Sequence, residues 1–428
     1  MFEQSALTNR NFFDSVQDFS ISPEDRNLLR ELASQVADIA ARPEQDRKKE
    51  LWYRHNALEA TKPLVLCDPE NGWHEVIPSS SLSCKGDLAR KWEFLLRMQI
   101  FWGNSMGDDK PIEAVFHVPL LFTETDWGLA VEKEGGADGG AFHFNSPLKD
   151  YATDLAKLRF PEITVDRPAS DRLFELAQET FEGILEVGKK HVWWWSTCST
   201  DVLAELRGMT EMMMDMYDYP DELHQLSRFL TDGFHHRLDF LEREGLLSLN
   251  NDITYIASGG IGYSRELPGP DFNPAKVTTM DMWGFSESQM TSEVAPDMVQ
   301  EFILPYQIEI LERFGLNCYG CCEGIDPRWD YVKKIPRLRR VSVSAWANPA
   351  KMAELLGKEY IYSRKMNPSH LAGSSIDEDY LRQSLREDMQ LSRNCRTEYI
   401  MKDNHTIGNN PQNLIRWCAL AQEEASRL

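Results

Sequence analysis

The feature that most limits what this chain can fold into is an alternation. From residue 62 onward, short apolar runs rich in β-formers take turns with longer segments whose apolar residues recur at helical spacing. The strand candidates are 62–68, 113–122, 191–199, 247–256, 281–289, 316–325, 339–346, 360–368 and 396–403. Helix-like segments lie near 85–106, 170–189, 201–217, 220–245, 295–314, 349–357, 375–394 and 410–427. Strands and helices joined this way give parallel strands in a βαβ series, and eight such units closing on themselves make a (β/α)8 TIM barrel. Nine candidates are one too many, so one early stretch, with 113–122 the first choice, counts as an excursion. A doubly wound open sheet is the runner-up, but no Gly-rich dinucleotide loop follows any of the strands.

The barrel is expected over residues 61–428, behind an N-terminal helical extension at 1–60. Within the extension, Ser22-Pro23-Glu24-Asp25 is a helix start, with a hydroxyl cap, then proline and acids in the first turn. Pro43 ends that helix, and a second follows. Residues 123–160, with EKEGGADGGAFHF, read as a long Gly-rich insertion, either a lid or surface.

Charge excludes some partners. A formal net charge of −22 repels nucleic acid and anionic membrane surfaces, though a few local cations can still hold a small anion. No apolar run approaches the roughly 20 residues a membrane helix needs, and the first residues lack a signal-peptide layout. A cytoplasmic protein is the expectation. Twelve Trp and sixteen Met suit either a packed core or a broad pocket lined by soft side chains.

Chemistry is expected at the C-terminal ends of the strands. Three of eight cysteines fall in LNCYGCCEGI (316–325), with Glu323 directly after Cys322. Adjacent cysteines on a strand face opposite ways, so Cys321 and Cys322 can meet one ion only where the backbone turns. The thiols are either buried and inert or part of a site, metal-bound or nucleophilic; the spacing is not that of a structural zinc cage. His405, in KDNHTIGNNP, sits beyond the last strand candidate, either at the same end as the cysteines or in a capping loop. Glu287 lies in the polar run SESQ after MDMWGF. Arg364 and Lys365 give a cationic strand end suited to a carboxylate or phosphate, unless they pair with an acid such as Glu287 or Glu323. Asp252 and Lys402 are further polar groups near strand ends.

RGMTEMMMDMYDYPDELHQLSRFLTD (207–232), WGFSESQ, LERFGLNCYGCCEG, RRVSVSAWANPAKMAELLG and NNPQNLIRW resemble the uroporphyrinogen decarboxylase superfamily, over roughly residues 190–428. The resemblance implies a (β/α)8 barrel and one of two chemistries. True decarboxylases of that family carry an Arg-rich motif near the N-terminus with a catalytic Asp, and nothing in 1–75 matches it. The other branch resembles corrinoid-dependent methyltransferases, whose zinc is held by His-x-Cys and a later Cys. Here Tyr319-Gly320-Cys321 occupies the first position, and Asn404 or His405 the second. The resemblance thus implies zinc on a substituted set drawn from Cys321, Cys322, Glu323 and His405, with a corrinoid on a partner protein as methyl acceptor. Glu287, Tyr319 and His405 are the catalytic candidates. Trp283 and Trp346 would wall a pocket for a small methoxylated or methylamine-type substrate, with Asp252, Arg364, Lys365 and Lys402 as its polar contacts. The alternatives are a decarboxylase-like lyase acting on a carboxylated substrate, with Arg364, Lys365 or Lys402 holding the carboxylate, and a non-catalytic small-molecule binder.

Overall fold

The computed structural model describes residue 16, residues 19–135 and residues 142–428. The first helix is Pro23–Ala40, and its start is chemically specified: the Ser22 hydroxyl accepts from Asp25 N at 3.0 Å and Pro23 opens the first turn. Its buried stripe of Leu29, Leu32, Ala33, Val36 and Ile39 packs on the helix Asp87–Phe101. Pro43 then begins a second helix, Pro43–Asn56. No helix among the described residues is long and apolar enough to cross a membrane.

The strands are β1 (Leu64–Cys67), β2 (Val115–Val118), β3 (Phe122–Glu124), β4 (Glu132–Gly135), β5 (Phe142–Asn145) and β6 (Ile163–Val165). They continue as β7 (Glu186–Lys189), β8 (Trp283–Ser286), β9 (Leu316–Tyr319), β10 (Leu338–Val343), β11 (Ile361–Lys365) and β12 (Arg396–Met401). Six of them form one parallel sheet in the order β1-β12-β11-β10-β9-β8, and β2 pairs in parallel with β7. The sheet strands are almost wholly buried, as parallel strands covered by helices must be. Register places Ser286 beside Tyr319, Tyr319 beside Val341, Val343 beside Arg364 and Cys67 beside Met401. The residues that follow, Glu287, Gly320, Ser344 and Lys402 among them, therefore leave the sheet along one edge.

At its two ends the sheet is satisfied by side chains together with backbone from outside its strands. Beside β1, Asp109 N donates to Val65 O, while Asp109 and Asp108 carboxylates accept from Val65 N and Cys67 N at 2.8 and 3.0 Å. Beside β8, the Asn250 amide copies a backbone: Oδ1 accepts from Trp283 N at 2.8 Å and Nδ2 donates to Trp283 O at 2.9 Å. Thr197 continues the imitation by donating N–H and hydroxyl to Phe285 O.

Two strand expectations fail for reasons visible in the side chains. In 191–199 the three consecutive tryptophans would have to alternate faces; the segment instead leaves the ladder as irregular backbone. Its unit's strand is β7, the polar EVGK, where a Cβ on Gly188 would come 2.9 Å from the His117 ring. In 247–256, Asp252 turns the chain by accepting from Thr254 N, and only an isolated Tyr255–Ile261 bridge remains. Residues 113–122 hold strands at both ends, β2 and the start of β3. The insertion at 123–160 contributes to the small antiparallel pairs β3–β6 and β4–β5; its Gly-rich centre, 136–141, lies outside the described residues.

Candidate functional site

The strand ends gather acids. β8 stops at Ser286, and Glu287, fully buried, is fixed at both oxygens: Oε2 accepts from Gln289 N at 2.7 Å and Oε1 from the Cys198 thiol at 2.7 Å. Cys198 ends the tryptophan segment, and Asp201 lies in the first turn of the helix Ser199–Arg207 that follows. The ligand atoms of Cys198, Asp201 and Glu287 all lie within 4.8 Å of one another, the one such group among the described residues. A Cys-x-x-Asp pair across a loop–helix junction is the signal for it in the sequence, but reading 191–199 as a strand and 201–217 as a helix separates Cys198 from Asp201.

Burial pushes Glu287 well above the usual carboxylate range, and the nearby Asp201 and Glu323 push it further. Burial, then Glu287 and Asp201, pushes the Cys198 thiol up as well. Asp201 is raised by burial and by Glu323, and its Oδ1 is buried without a hydrogen-bond partner. Three acidic groups whose ionisation burial and nearby carboxylates suppress, with one oxygen left unpaired, are what a divalent cation would relieve, displacing protons as it bound. One thiolate and two carboxylates form a mixed S/O set suited to zinc.

Cys198 and Asp201 line a cavity of about 530 Å³ whose walls include Trp127, Trp193, Trp194, Trp195 and Phe234. A volume of that size suits a small-molecule ligand.

Glu323 has a different place. Its Oε1 accepts from Ser288 N at 2.8 Å and its Oε2 from Cys321 N at 3.0 Å, clamping the ends of β8 and β9 together. The Tyr319 hydroxyl is buried beside it, donating to Gln307 Oε1 at 2.8 Å and lying 3.2 Å from Ser288 Oγ. Gly320, at φ +93°, turns the backbone out of the strand, and the Cys321 and Cys322 sulfurs come to 3.6 Å. His405 is exposed, its Nδ1 3.4 Å from Asn71 Nδ2. The expected set of Cys321, Cys322, Glu323 and His405 is thus not assembled: the carboxylate is spent on backbone amides and the histidine faces out.

The expected substrate contacts are mostly engaged elsewhere. Arg364 pairs with Asp388 at 3.0 Å and donates to Ser344 O. Lys402 lies 2.8 Å from Asp403 and 3.8 Å from Glu70. Asp252 is held by Lys190 at 2.5 Å. Lys365 donates to Ser363 Oγ at 2.6 Å, and burial pushes its amine down to about 7 despite Glu398. Trp283 is buried, donating to Gly262 O, and Trp346 is 74% exposed.

Comparison with known proteins adds little to this geometry. No family model matches the chain, and no curated protein matches it. A solved methyltransferase from Methanosarcina mazei is similar, with a TM-score of 0.46 and 10% identity, covering 88% of this chain and 97% of that one.

Proposed function

We propose that this protein is a zinc-dependent methyltransferase on a (β/α)8 barrel, moving a methyl group from a small methoxylated or methylamine-type substrate to a corrinoid carried by a partner protein. The observation that carries the reading is the Cys198–Asp201–Glu287 group at the strand ends, opening on an aromatic cavity. The barrel reading is supported by six parallel strands in one sheet and by a separate parallel pair, β2–β7.

Cys198, Asp201 and Glu287 would hold the metal, which supplies a Lewis acid for the heteroatom that bears or accepts the methyl group. The chain's own residues prepare that position. Gln289 N–H orients Glu287, and Glu323 fixes the β8 and β9 ends so that the carboxyl cannot swing away. The tryptophan walls present flat surfaces against which a small substrate is held. A partner bringing the acceptor would approach the same strand-end face, where Trp346 is exposed.

Elemental analysis tests the reading. Wild type should carry about one zinc per chain, retained in Cys321→Ser and Cys322→Ser but lost in Cys198→Ser, Asp201→Asn and Glu287→Gln. Metal kept by the last three variants, or none bound by wild type supplied with zinc, refutes the site. Demethylation of candidate donors with a cobalt(I) corrinoid should then fail in the same three variants.

A further inference from the structure

We propose that Cys321 and Cys322 form a reactive vicinal dithiol, a modification site that peroxide oxidises reversibly to a disulfide between neighbouring residues. It needs neither the Cys198–Asp201–Glu287 group nor methyl transfer. The two sulfurs lie 3.6 Å apart, a gap that side-chain rotation closes to the roughly 2 Å of a disulfide bond. Gly320 allows the approach: its φ of +93° turns the chain at the end of β9, so the next side chains no longer alternate across a sheet. Cys322 is the one exposed cysteine of the eight, whereas Cys321 is buried, at 4% exposure. The Cys321 backbone is also fixed: its N–H donates to Glu323 Oε2 at 3.0 Å and its carbonyl accepts from Ser342 Oγ at 3.1 Å. Its sulfur accepts from the Ser258 hydroxyl at 3.3 Å, and that oxygen lies 3.5 Å from the buried Lys402 ammonium. Reactive thiols sit near a cation with one side open, and this pair has both.

The surroundings assign each sulfur its part. Exposed Cys322 meets the oxidant, and a hydrogen bond from Cys321 holds its thiol below the ordinary value, with Lys402 acting in the same direction. The Cys322 thiolate attacks one peroxide oxygen and the O–O bond breaks. A sulfenic acid forms, and the hydroxide that leaves takes up the proton lost from Cys322. The fixed Cys321 sulfur then attacks the Cys322 sulfur. The S–S bond forms, the S–O bond breaks, and the departing hydroxide carries off the Cys321 proton as water. Two thiols and one peroxide thus become one disulfide and two waters. Adjacent Cα atoms stand about 3.8 Å apart, below the usual disulfide range, so the bond is strained and a thiol reductant reopens it. Cys318, two residues before Gly320, is wholly buried with Arg340 Nη1 at 3.8 Å and is shut off from oxidant.

The test treats the folded full chain with hydrogen peroxide in slight excess, removes the remainder with catalase and alkylates free thiols in denaturant. Mass spectrometry then reads the tryptic fragment 314–328, which holds Cys318, Cys321 and Cys322. That fragment should lose two hydrogens and keep one alkylated thiol, Cys318, and dithiothreitol should restore all three thiols. The change should be complete at a dose that leaves the half-buried Cys395 alkylated. Cys318→Ser should react as wild type does. Cys321→Ser should stop at a Cys322 sulfenic acid, trapped by dimedone, and Cys322→Ser should leave Cys321 a free thiol. Three alkylated thiols after peroxide, a bridge that includes Cys318, or oxidation of Cys395 at the same dose overturns the proposal. So does a wild-type Cys322 that passes to the sulfinic acid without closing on Cys321.

Discussion

The buried ion pair between Arg340 and Glu398 is the place where a single substitution should cost most. Both side chains are at most 1% exposed. The Glu398 carboxylate receives Arg340 Nε at 2.8 Å, Arg340 Nη2 at 3.1 Å, His55 Nε2 at 3.1 Å and the Ser363 hydroxyl. Arg340 also donates to Asn56 Oδ1 at 2.7 Å. Arg340→Met keeps the side-chain volume but strips the carboxylate of its charge partner and two of its four donors. Leaving one member of a buried pair uncompensated costs about 3–5 kcal/mol. Glu398→Gln strands the guanidinium and should cost a similar amount. The double variant removes both charges, so it should be more stable than the sum predicts by about 1–3 kcal/mol. Denaturant titration of all four proteins, with midpoints and slopes fitted together, measures this. The pH dependence supplies a second arm. Burial alone would raise the Glu398 pKa, but Arg340, His55 and Lys365 more than reverse it, holding it well below the usual range. A carboxyl depressed in the folded state contributes stability that is present above its unfolded pKa, about 4.3, and is lost as pH falls below it. Arg340→Met should therefore lose less stability than wild type as the solution is acidified through that range. A cost under about 1 kcal/mol for Arg340→Met, or strict additivity in the double variant, would refute the reasoning.

Other expectations follow from single contacts. Lys365 is pushed down to about 7, so it binds fewer protons folded than unfolded, and stability should rise with pH from about 7 toward the unfolded lysine value near 10.4. Lys365→Met should abolish that rise in denaturation curves taken at pH 7 and pH 9. Asn250→Ala should cost about 1–3 kcal/mol, because Trp283 N–H and C=O lose their partner, and should speed hydrogen exchange at the Trp283 amide. At Gly262, an added Cβ would lie 1.9 Å from Asn250 O, a backbone atom that a side chain cannot displace cheaply. Gly262→Ala should therefore lower the melting temperature more than Gly269→Ala, where the added atom meets nothing.

Much of the architecture was legible in the sequence because parallel strands announce themselves by continuous burial. WGFS, LNCY, RRVSV and RTEYIM all run where their apolar content placed them, and the helices after them begin at the expected acids and prolines. What escaped was the polar strand EVGK, whose partner β2 and neighbouring helix, more than its own residues, keep it in place. The helix expected over 295–314 divides at Ile303, just before Pro305, whose missing N–H opens the ladder. The site was legible only in part. Glu287 stood out as an acid in a hydrogen-bonding run at a strand end, and the structure brings it to Cys198 and Asp201. The cysteine cluster drew attention by density, yet Glu323 beside it is spent on backbone amides, a use that no spacing rule reveals.

The side chains at the sheet margins have a consequence for solubility. A free parallel edge offers a row of amides and carbonyls on which another chain can grow. Here the Asp108 and Asp109 carboxylates occupy one margin by accepting from the β1 amides, and Asn250 with Thr197 occupies the other. Alanine at both aspartates would leave the Val65 and Cys67 amides without these acceptors, and the first symptom would be association of partly opened molecules at high concentration, well before any loss of the individual fold.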